Sequence, residues 1–190
     1  MMRIFCVAAA MAALVASSAA QAQFFGDSRD IMSPGPSFYQ GGASPIPREV
    51  VMYPVNYAPG TIVVNTAERR LYLMLGNGEA LRYGIGVGRD GFRWGGVHRV
   101  TAKKEWPTWT PPRQMIERRP DLPRHMEGGI DNPLGARALY LGSTLYRIHG
   151  SNEPETIGQA VSSGCFRMTN EDVTDLYDRV RVGATVIVKN

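Results

Sequence analysis

The sequence predicts a mainly β domain of about seven strands, with one well-formed helix in its C-terminal half and short helical turns elsewhere. Two patterns indicate this. Apolar or alternating runs separated by turn residues occupy residues 61–148, and one capped helical pattern follows at residues 169–183. The 190 residues are 44% hydrophobic and 20% charged. This length and composition allow one globular domain with a sizeable core.

The first 22 residues are predicted to be a signal peptide. Arg3 supplies positive charge, residues 4–16 are an unbroken apolar run, and Ala20 and Ala22 fit a small-residue cleavage site. The run is shorter than the roughly 20 residues that a membrane-spanning helix needs. Cys6 lies inside the run, so a lipoprotein-type anchor is not expected. We therefore expect export, with no transmembrane anchor after cleavage.

Residues 23–57 are interpreted as a tether, because Pro, Gly and Ser recur there without sustained helical or strand periodicity. The folded domain is predicted over residues 58–190. Its hairpin turn at residues 76–78 is Gly-Asn-Gly, residue types that tolerate positive φ. The predicted strands are residues 61–65, 69–75, 80–87, 97–102, 136–141, 144–148 and 184–188.

The one clear helix is predicted to begin after Thr169. Thr169 with Asp172 fits a capping box, and apolar residues recur at helical spacing until Gly183 ends the pattern. Residues 114–118 and 154–161 are predicted only as short helical turns.

Between the strands, residues 103–133 form a long segment punctuated by prolines. Segments of this length are often functional, as lids or substrate walls. The alternative is a surface excursion whose tryptophans close the edge of the core. The sequence does not separate the two.

The net charge of +4 is modest, and the basic residues are scattered rather than concentrated. No nucleic-acid partner is therefore expected. No metal is expected either, because a zinc site built from Cys165, His149 and either His98 or His125 lacks the usual ligand spacing. A serine triad at Ser162 or Ser163 lacks the G-x-S-x-G turn.

Removal of the signal peptide would leave Cys165 as the only cysteine. A lone thiol in an exported protein is buried and inert, paired between molecules, or used chemically. Cys165 lies in a Ser-Ser-Gly turn shortly before the predicted helix. The helix dipole and Arg167 would favour the thiolate, and the amides around Gly164 could stabilise an oxyanion. His149, at a predicted strand end beside Gly150, is the best candidate base.

These residues resemble a known family. The pair His149-Gly150, followed by residues 162–168 (Ser-Ser-Gly-Cys-Phe-Arg-Met), is similar to the signature of the L,D-transpeptidase catalytic domain (YkuD-like) family of bacterial cell-wall enzymes. The likeness covers about residues 58–190 and includes the Trp-Pro-Thr-Trp-Thr-Pro-Pro stretch at residues 106–112.

The resemblance implies a β-sandwich and an exported, periplasmic enzyme without a cofactor. It implies that Cys165 is the nucleophile and His149 its general base. The Gly150 carbonyl would orient the imidazole, the amides of Gly164 and Cys165 would form the oxyanion hole, and Arg167 would help to hold substrate.

The implied partners are peptidoglycan stem peptides. The thiol would attack a donor tetrapeptide, release D-Ala, and pass the acyl group to a diamino-acid amine to form a 3→3 cross-link. Two enzymatic alternatives keep the acyl-enzyme but use water or a protein amine as acceptor, the latter anchoring an outer-membrane protein to the wall. A third alternative is a catalytically inactive wall-binding module.

Two departures from the family pattern bear on substrate contact and acceptor choice. Ser163 stands where most members have His, and residues 92–96 (Phe-Arg-Trp-Gly-Gly) replace a Thr-Pro-x-Gly stretch. Ser163, Trp94, Trp109 and Tyr140 join Arg167 as the candidate substrate-binding residues.

Overall fold

The computed structural model describes residues 43–190, so the predicted signal peptide and most of the predicted tether lie outside the described residues. The described part is mainly β, as predicted, with two α-helices. No helix within it is long and apolar enough to cross a membrane. The strands are Glu49–Met52 (β1), Ile62–Asn65 (β2), Arg70–Gly76 (β3), Glu79–Gly84 (β4), Val87–Gly88 (β5), Gly96–Glu105 (β6), Arg137–Leu141 (β7), Arg147–His149 (β8), Ala160–Ser162 (β9), Phe166–Arg167 (β10) and Thr185–Lys189 (β11). The helices are Arg113–Arg118 (α1) and Asn170–Arg179 (α2).

Nine of the strands seen in residues 43–190 are hydrogen-bonded in the order β1-β4-β3-β2-β11-β6-β7-β8-β10, and β5 pairs with β9. Strand β6 joins two halves, because its first residues pair with β11 and its later residues pair with β7. One hydrophobic core contains side chains from both halves, including Ile62 and Leu71 from one and Leu139 and Ile148 from the other. The core therefore lies between two layers of strands.

Helix α2 begins as the sequence predicts. The Thr169 hydroxyl accepts the Asp172 N–H at 3.2 Å, which satisfies one of the free amides at the helix start. Val173 and Leu176 are fully buried in the core, and each contributes about 2 kcal/mol to the free energy of unfolding. Helix α2 packs against β7 and β8, and so lies behind the strand that ends at His149.

The N-terminal boundary of the domain differs from the sequence-based one. Glu49–Met52, assigned to the tether, forms strand β1 and pairs with β4. Arg48 forms an ion pair with the Asp172 carboxylate at 3.5 Å. Strand β1 is an edge strand, and Val50 and Met52 are 57% and 73% exposed. Such a strand shows no alternating hydrophobic pattern in the sequence, which is why it was missed.

Smaller differences lie nearer the cysteine. The helical turn predicted over residues 154–161 is a 3-10 helix at Pro154–Thr156, and strand β9 follows it. The helical turn predicted around residues 114–118 is present as α1. Within the long segment, Trp109 and Met126 exchange two backbone hydrogen bonds of 2.8 Å, which fold the segment back on itself.

Candidate active site

An open cleft of about 870 Å³ contains both Cys165 and His149 in its lining. These two residues belong to one wall. The other wall comes from the long proline-containing segment, through side chains such as Trp109, Met115 and Leu122. That segment is therefore a wall of the cleft, one of the two roles that the sequence left open.

His149 ends strand β8 and is 5% exposed. Its Nδ1 lies 2.6 Å from the Gly150 carbonyl oxygen. Because a carbonyl oxygen only accepts, Nδ1 carries the proton and the lone pair of Nε2 remains available. Burial lowers the pKa of His149 to about 3, against the opposing effect of the Gly150 hydrogen bond and with the help of the Arg167 and Arg147 charges. The imidazole is therefore neutral at physiological pH and can accept a proton.

The Gly150 position is enclosed by helix α2. A Cβ at Gly150 would overlap Asn170 Oδ1, which accepts the Ala136 N–H at 2.8 Å. Asn170 is the first residue of α2 and is itself buried. The helix start thereby fixes the backbone whose carbonyl orients His149. The sequence carried no signal for this role of Asn170, because Ala136 and Gly150 lie thirty-four and twenty positions away from it.

Ser162 closes the loop that carries the thiol. Its hydroxyl donates to the Cys165 carbonyl oxygen at 2.6 Å and accepts the Gly164 N–H at 3.1 Å. The Gly164 amide is thus already used inside the loop. The Cys165 N–H, by contrast, makes no hydrogen bond to any residue from 43 to 190. It is the amide that remains available to an oxyanion, whereas the family resemblance implied this role for both amides.

Aromatic rings support the loop from behind. The Trp94 indole N–H donates to the Gly164 carbonyl oxygen at 2.6 Å, and the Trp94 ring stacks on Tyr146 with centroids 4.3 Å apart. Trp94 also contacts Phe166 at a centroid distance of 5.2 Å. Trp94 was expected to contact substrate, but it does not line the cleft and instead holds the loop. The sequence offered no signal for this pairing, which joins positions seventy residues apart.

The other candidate substrate residues separate into two groups. Trp109, Ser163 and Arg167 line the cleft, whereas Tyr140 does not. The Tyr140 ring is covered by cations, with the Arg147 guanidinium carbon 5.1 Å from its centroid. Arg167 forms an ion pair with Glu153 at 2.7 Å, which ties the cysteine loop to the segment after β8.

The half-buried thiol of Cys165 differs from expectation in its acidity. Burial raises the pKa of Cys165 above its usual value, although Arg147 and Arg167 act to lower it. The expected preference for the thiolate is therefore reversed, because desolvation outweighs the two positive charges. Together with the neutral His149, this describes a thiol–imidazole pair rather than a thiolate–imidazolium pair.

This acidity leads to a first prediction. Between about pH 6 and pH 8, the rate of Cys165 alkylation by the neutral reagent iodoacetamide should rise about tenfold per pH unit, because only the thiolate reacts and its fraction is small. Intact-protein mass spectrometry at a series of pH values measures this rate. A rate that stays constant across neutral pH would indicate an ion pair and contradict the neutral pair.

Residues that could hold a metal are not gathered in the part of the chain from 43 to 190. No group of three or more His, Cys, Asp or Glu side chains comes together there. What the cleft does bring together is a thiol, a neutral imidazole with a free lone pair, and an available backbone amide. This set can transfer an acyl group from an amide to another acceptor.

The chain is similar to several known proteins. It is 39% identical to the probable L,D-transpeptidase ErfK/SrfK of Escherichia coli strain K12 over 155 residues, which is 77% of this chain and 48% of that protein. It is 42% identical to the probable L,D-transpeptidase YbiS of the same strain over 134 residues, 66% of this chain and 43% of that protein. The chain thus spans about half the length of the curated relatives it matches.

Among solved structures, the chain is 46% identical to a probable carnitine operon oxidoreductase from Brucella melitensis, with a TM-score of 0.52 over 77% of this chain and 96% of that one. An L,D-transpeptidase from Mycobacterium smegmatis shares the fold at 17% identity, with a TM-score of 0.56 over 68% of this chain and 58% of that one. The family model of the L,D-transpeptidase catalytic domain (YkuD) matches residues 59–188. The chain therefore belongs to the YkuD family of L,D-transpeptidase catalytic domains.

Proposed function

We propose that this protein is an exported enzyme that cuts and rejoins peptidoglycan stem peptides through a thioester on Cys165. The observation that supports it most directly is the neutral His149, whose Nδ1–H is held by the Gly150 carbonyl while Nε2 keeps its lone pair. The family supplies the substrate class, and the predicted signal peptide supplies the location, the periplasm. The Brucella relative bears the name of another reaction class, but a thiol and a neutral base in one cleft favour acyl transfer.

The proposed reaction has two steps. In the first, Sγ of Cys165 attacks the carbonyl before the terminal D-Ala of a donor tetrapeptide, and His149 Nε2 takes the thiol proton. The C–N bond then breaks, and His149 returns that proton to the leaving D-Ala amine. In the second, a side-chain amine of another stem attacks the thioester and loses a proton to His149, and the thiol is restored. The product is a 3→3 cross-link.

The Cys165 amide would stabilise the oxygen that becomes negative when the thiol attacks. Its N–H has no partner among residues 43–190, and it belongs to the residue that forms the new bond. One such donor is worth about a hundredfold in rate in other acyl-transfer enzymes. Arg167 and Trp109 are proposed substrate contacts, since both line the cleft beside the thiol. Ser163 is proposed as a third contact from the cysteine loop itself.

The test is a product assay with the purified protein and disaccharide tetrapeptides. We expect 3→3 dimers and free D-Ala by mass spectrometry, with neither product from the Cys165→Ala variant. No product from the native protein under conditions in which it is folded would contradict the proposal.

The same assay distinguishes the other acceptors. Water as acceptor would give a tripeptide and free D-Ala without a dimer, and a protein amine would give a stem peptide joined to a lysine side chain of an added outer-membrane protein. Binding to isolated cell wall with no turnover of any peptide would indicate a wall-binding module instead.

A further inference from the structure

The cleft is lined by an excess of positive charge. Five arginines contribute to its lining, namely Arg89, Arg118, Arg119, Arg147 and Arg167, against two carboxylates, Asp131 and Glu153. The neutral His149 adds no charge. A cleft of this kind attracts an anionic ligand and raises its local concentration.

Two of the five charges are compensated. Arg167 is paired with Glu153 at 2.7 Å, and Arg119 holds Asp121 through two hydrogen bonds of 2.9 and 2.6 Å. Their charges are therefore partly neutralised by these carboxylates. Arg147 has no ion pair in the described range, but it contacts Cys165 and belongs to the surroundings of the thiol.

Arg89 and Arg118 share one aromatic ring. Their guanidinium carbons lie 4.7 and 5.0 Å from the centroid of the Phe92 ring, within the range of a cation–π interaction. Neither side chain forms a hydrogen bond or an ion pair with any residue of the described chain. The ring thus positions both guanidinium groups without neutralising them, and their N–H donors remain available to a ligand.

The nearest acidic side chains in the sequence are held by other arginines. Asp90 is paired with Arg93 at 2.9 Å, and Glu117 is paired with Arg113 at 2.9 Å. Each of these carboxylates is adjacent in sequence to Arg89 or Arg118. The pairings leave the two arginines on Phe92 without a compensating charge.

The position of the three side chains connects the two walls of the cleft. The Arg89 N–H donates to the Ser162 carbonyl oxygen at 3.1 Å, so this residue is fixed to the cysteine loop. Arg118 ends helix α1 on the opposite wall. Phe92 belongs to residues 92–96, the stretch in which the sequence departs from the family pattern.

We propose that Arg89 and Arg118, held on Phe92, bind a free carboxylate of the stem peptide at a distance from the bond that is cut. A guanidinium group matches a carboxylate in shape and donates two parallel hydrogen bonds to it. The inference rests on the proposed function, because it names a feature of the peptide on which the thiol acts. It makes the enzyme selective for stem peptides whose carboxylates are free rather than amidated.

The experiment compares peptides that differ only at this group. Donor tetrapeptides and acceptor peptides are each prepared with the diamino-acid carboxylate free or amidated, and transfer is followed by mass spectrometry. For the native protein we expect KM to be about tenfold lower for the free carboxylate, in whichever of the donor and acceptor arms the site serves, with kcat nearly unchanged. The double variant Arg89→Gln/Arg118→Gln should lose this difference.

Arg124→Gln is the matched control. Arg124 is exposed on the same long segment, forms no ion pair within residues 43–190 and does not line the cleft. Its substitution removes one positive charge, as each of the single substitutions Arg89→Gln and Arg118→Gln does. It should keep the preference for the free carboxylate. Alkylation of Cys165 by iodoacetamide checks that every variant retains its thiol environment.

The outcomes separate this inference from the proposed function. If the native protein forms product but treats free and amidated peptides alike in both arms, the carboxylate site is wrong and the transpeptidase proposal stands. If the double variant keeps the preference for the free carboxylate, another group binds that carboxylate. The proposed site at Arg89 and Arg118 is then wrong. If no peptide of either kind is turned over, the proposed function itself fails.

Discussion

The Cys165→Ala variant is expected to lose product formation by at least about four orders of magnitude, because nucleophilic catalysis has no substitute thiol in residues 43–190. Intact-protein mass spectrometry should show the acyl-enzyme in the native protein and none in the variant. Cys165→Ser should also lose most activity, since a hydroxyl is a far weaker nucleophile beside a neutral imidazole. A Cys165→Ala variant that still released D-Ala would contradict the proposed nucleophile.

His149→Gln tests the base in the same way. The loss of product formation in His149→Gln should be of similar size to that in Cys165→Ala. The double variant His149→Gln/Cys165→Ala should be no less active than either single variant, because the two residues act as one unit. His125→Gln is the control, since His125 is half exposed, contacts Glu127 at 3.0 Å and does not line the cleft. A His149→Gln variant with more than about a tenth of native activity would place the base elsewhere.

The parts of the site that the sequence predicted are those whose signals are local. Thr169 and Asp172 are three positions apart and form the cap at the start of helix α2. The hydrogen bond between the neighbours His149 and Gly150 was expected from the family resemblance, whose signature includes this pair of adjacent residues. Local spacing is directly visible in a sequence, so these features could be identified before the fold was known.

The parts that the sequence missed depend on contacts between distant segments. Trp94 reaches the Gly164 carbonyl across seventy positions, and Arg118 meets Phe92 across twenty-six. Nothing near Trp94 in the chain distinguishes a ring that supports a loop from a ring that faces a substrate. Only the packing of the Trp94 ring on Tyr146 and Phe166 in the folded chain decides between them.

The acidity of the thiol shows a different limit. The sequence indicated Arg167, whose charge does act to lower the pKa of Cys165, but it indicated neither the similar effect of Arg147 nor the burial that raises the pKa. Desolvation depends on how many atoms surround the sulfur, and no spacing of residues reports that number. The direction of the pKa shift could therefore be worked out only from the folded chain.

Gly164→Ala is expected to disrupt the cysteine loop more than any other single methyl group placed in it. Gly164 has a φ of +111°, a conformation that L side chains rarely adopt, and a Cβ there would overlap the Tyr146 ring. The conformational cost is about 1 kcal/mol, and overpacking against the ring adds roughly 1–3 kcal/mol. Because the next residue is Cys165, the substitution should also displace the thiol. A displacement of about 1 Å should lower kcat/KM by about a hundredfold. Thermal unfolding and the product assay measure the two effects separately.

Gly183→Ala isolates the conformational part of this effect. Gly183 has a φ of +93°, but a Cβ there would meet nothing within 4 Å. The Gly183→Ala variant should lose only about 1 kcal/mol in its free energy of unfolding. It should keep its activity, because residue 183 lies beyond helix α2 and away from the cleft. Adding Tyr146→Leu to Gly164→Ala should recover part of the stability by removing the overlap. Activity should stay low, since the strained backbone and the lost stacking on Trp94 both remain. If Gly164→Ala and Gly183→Ala proved equally mild, the Tyr146 ring would not be what holds the thiol in place.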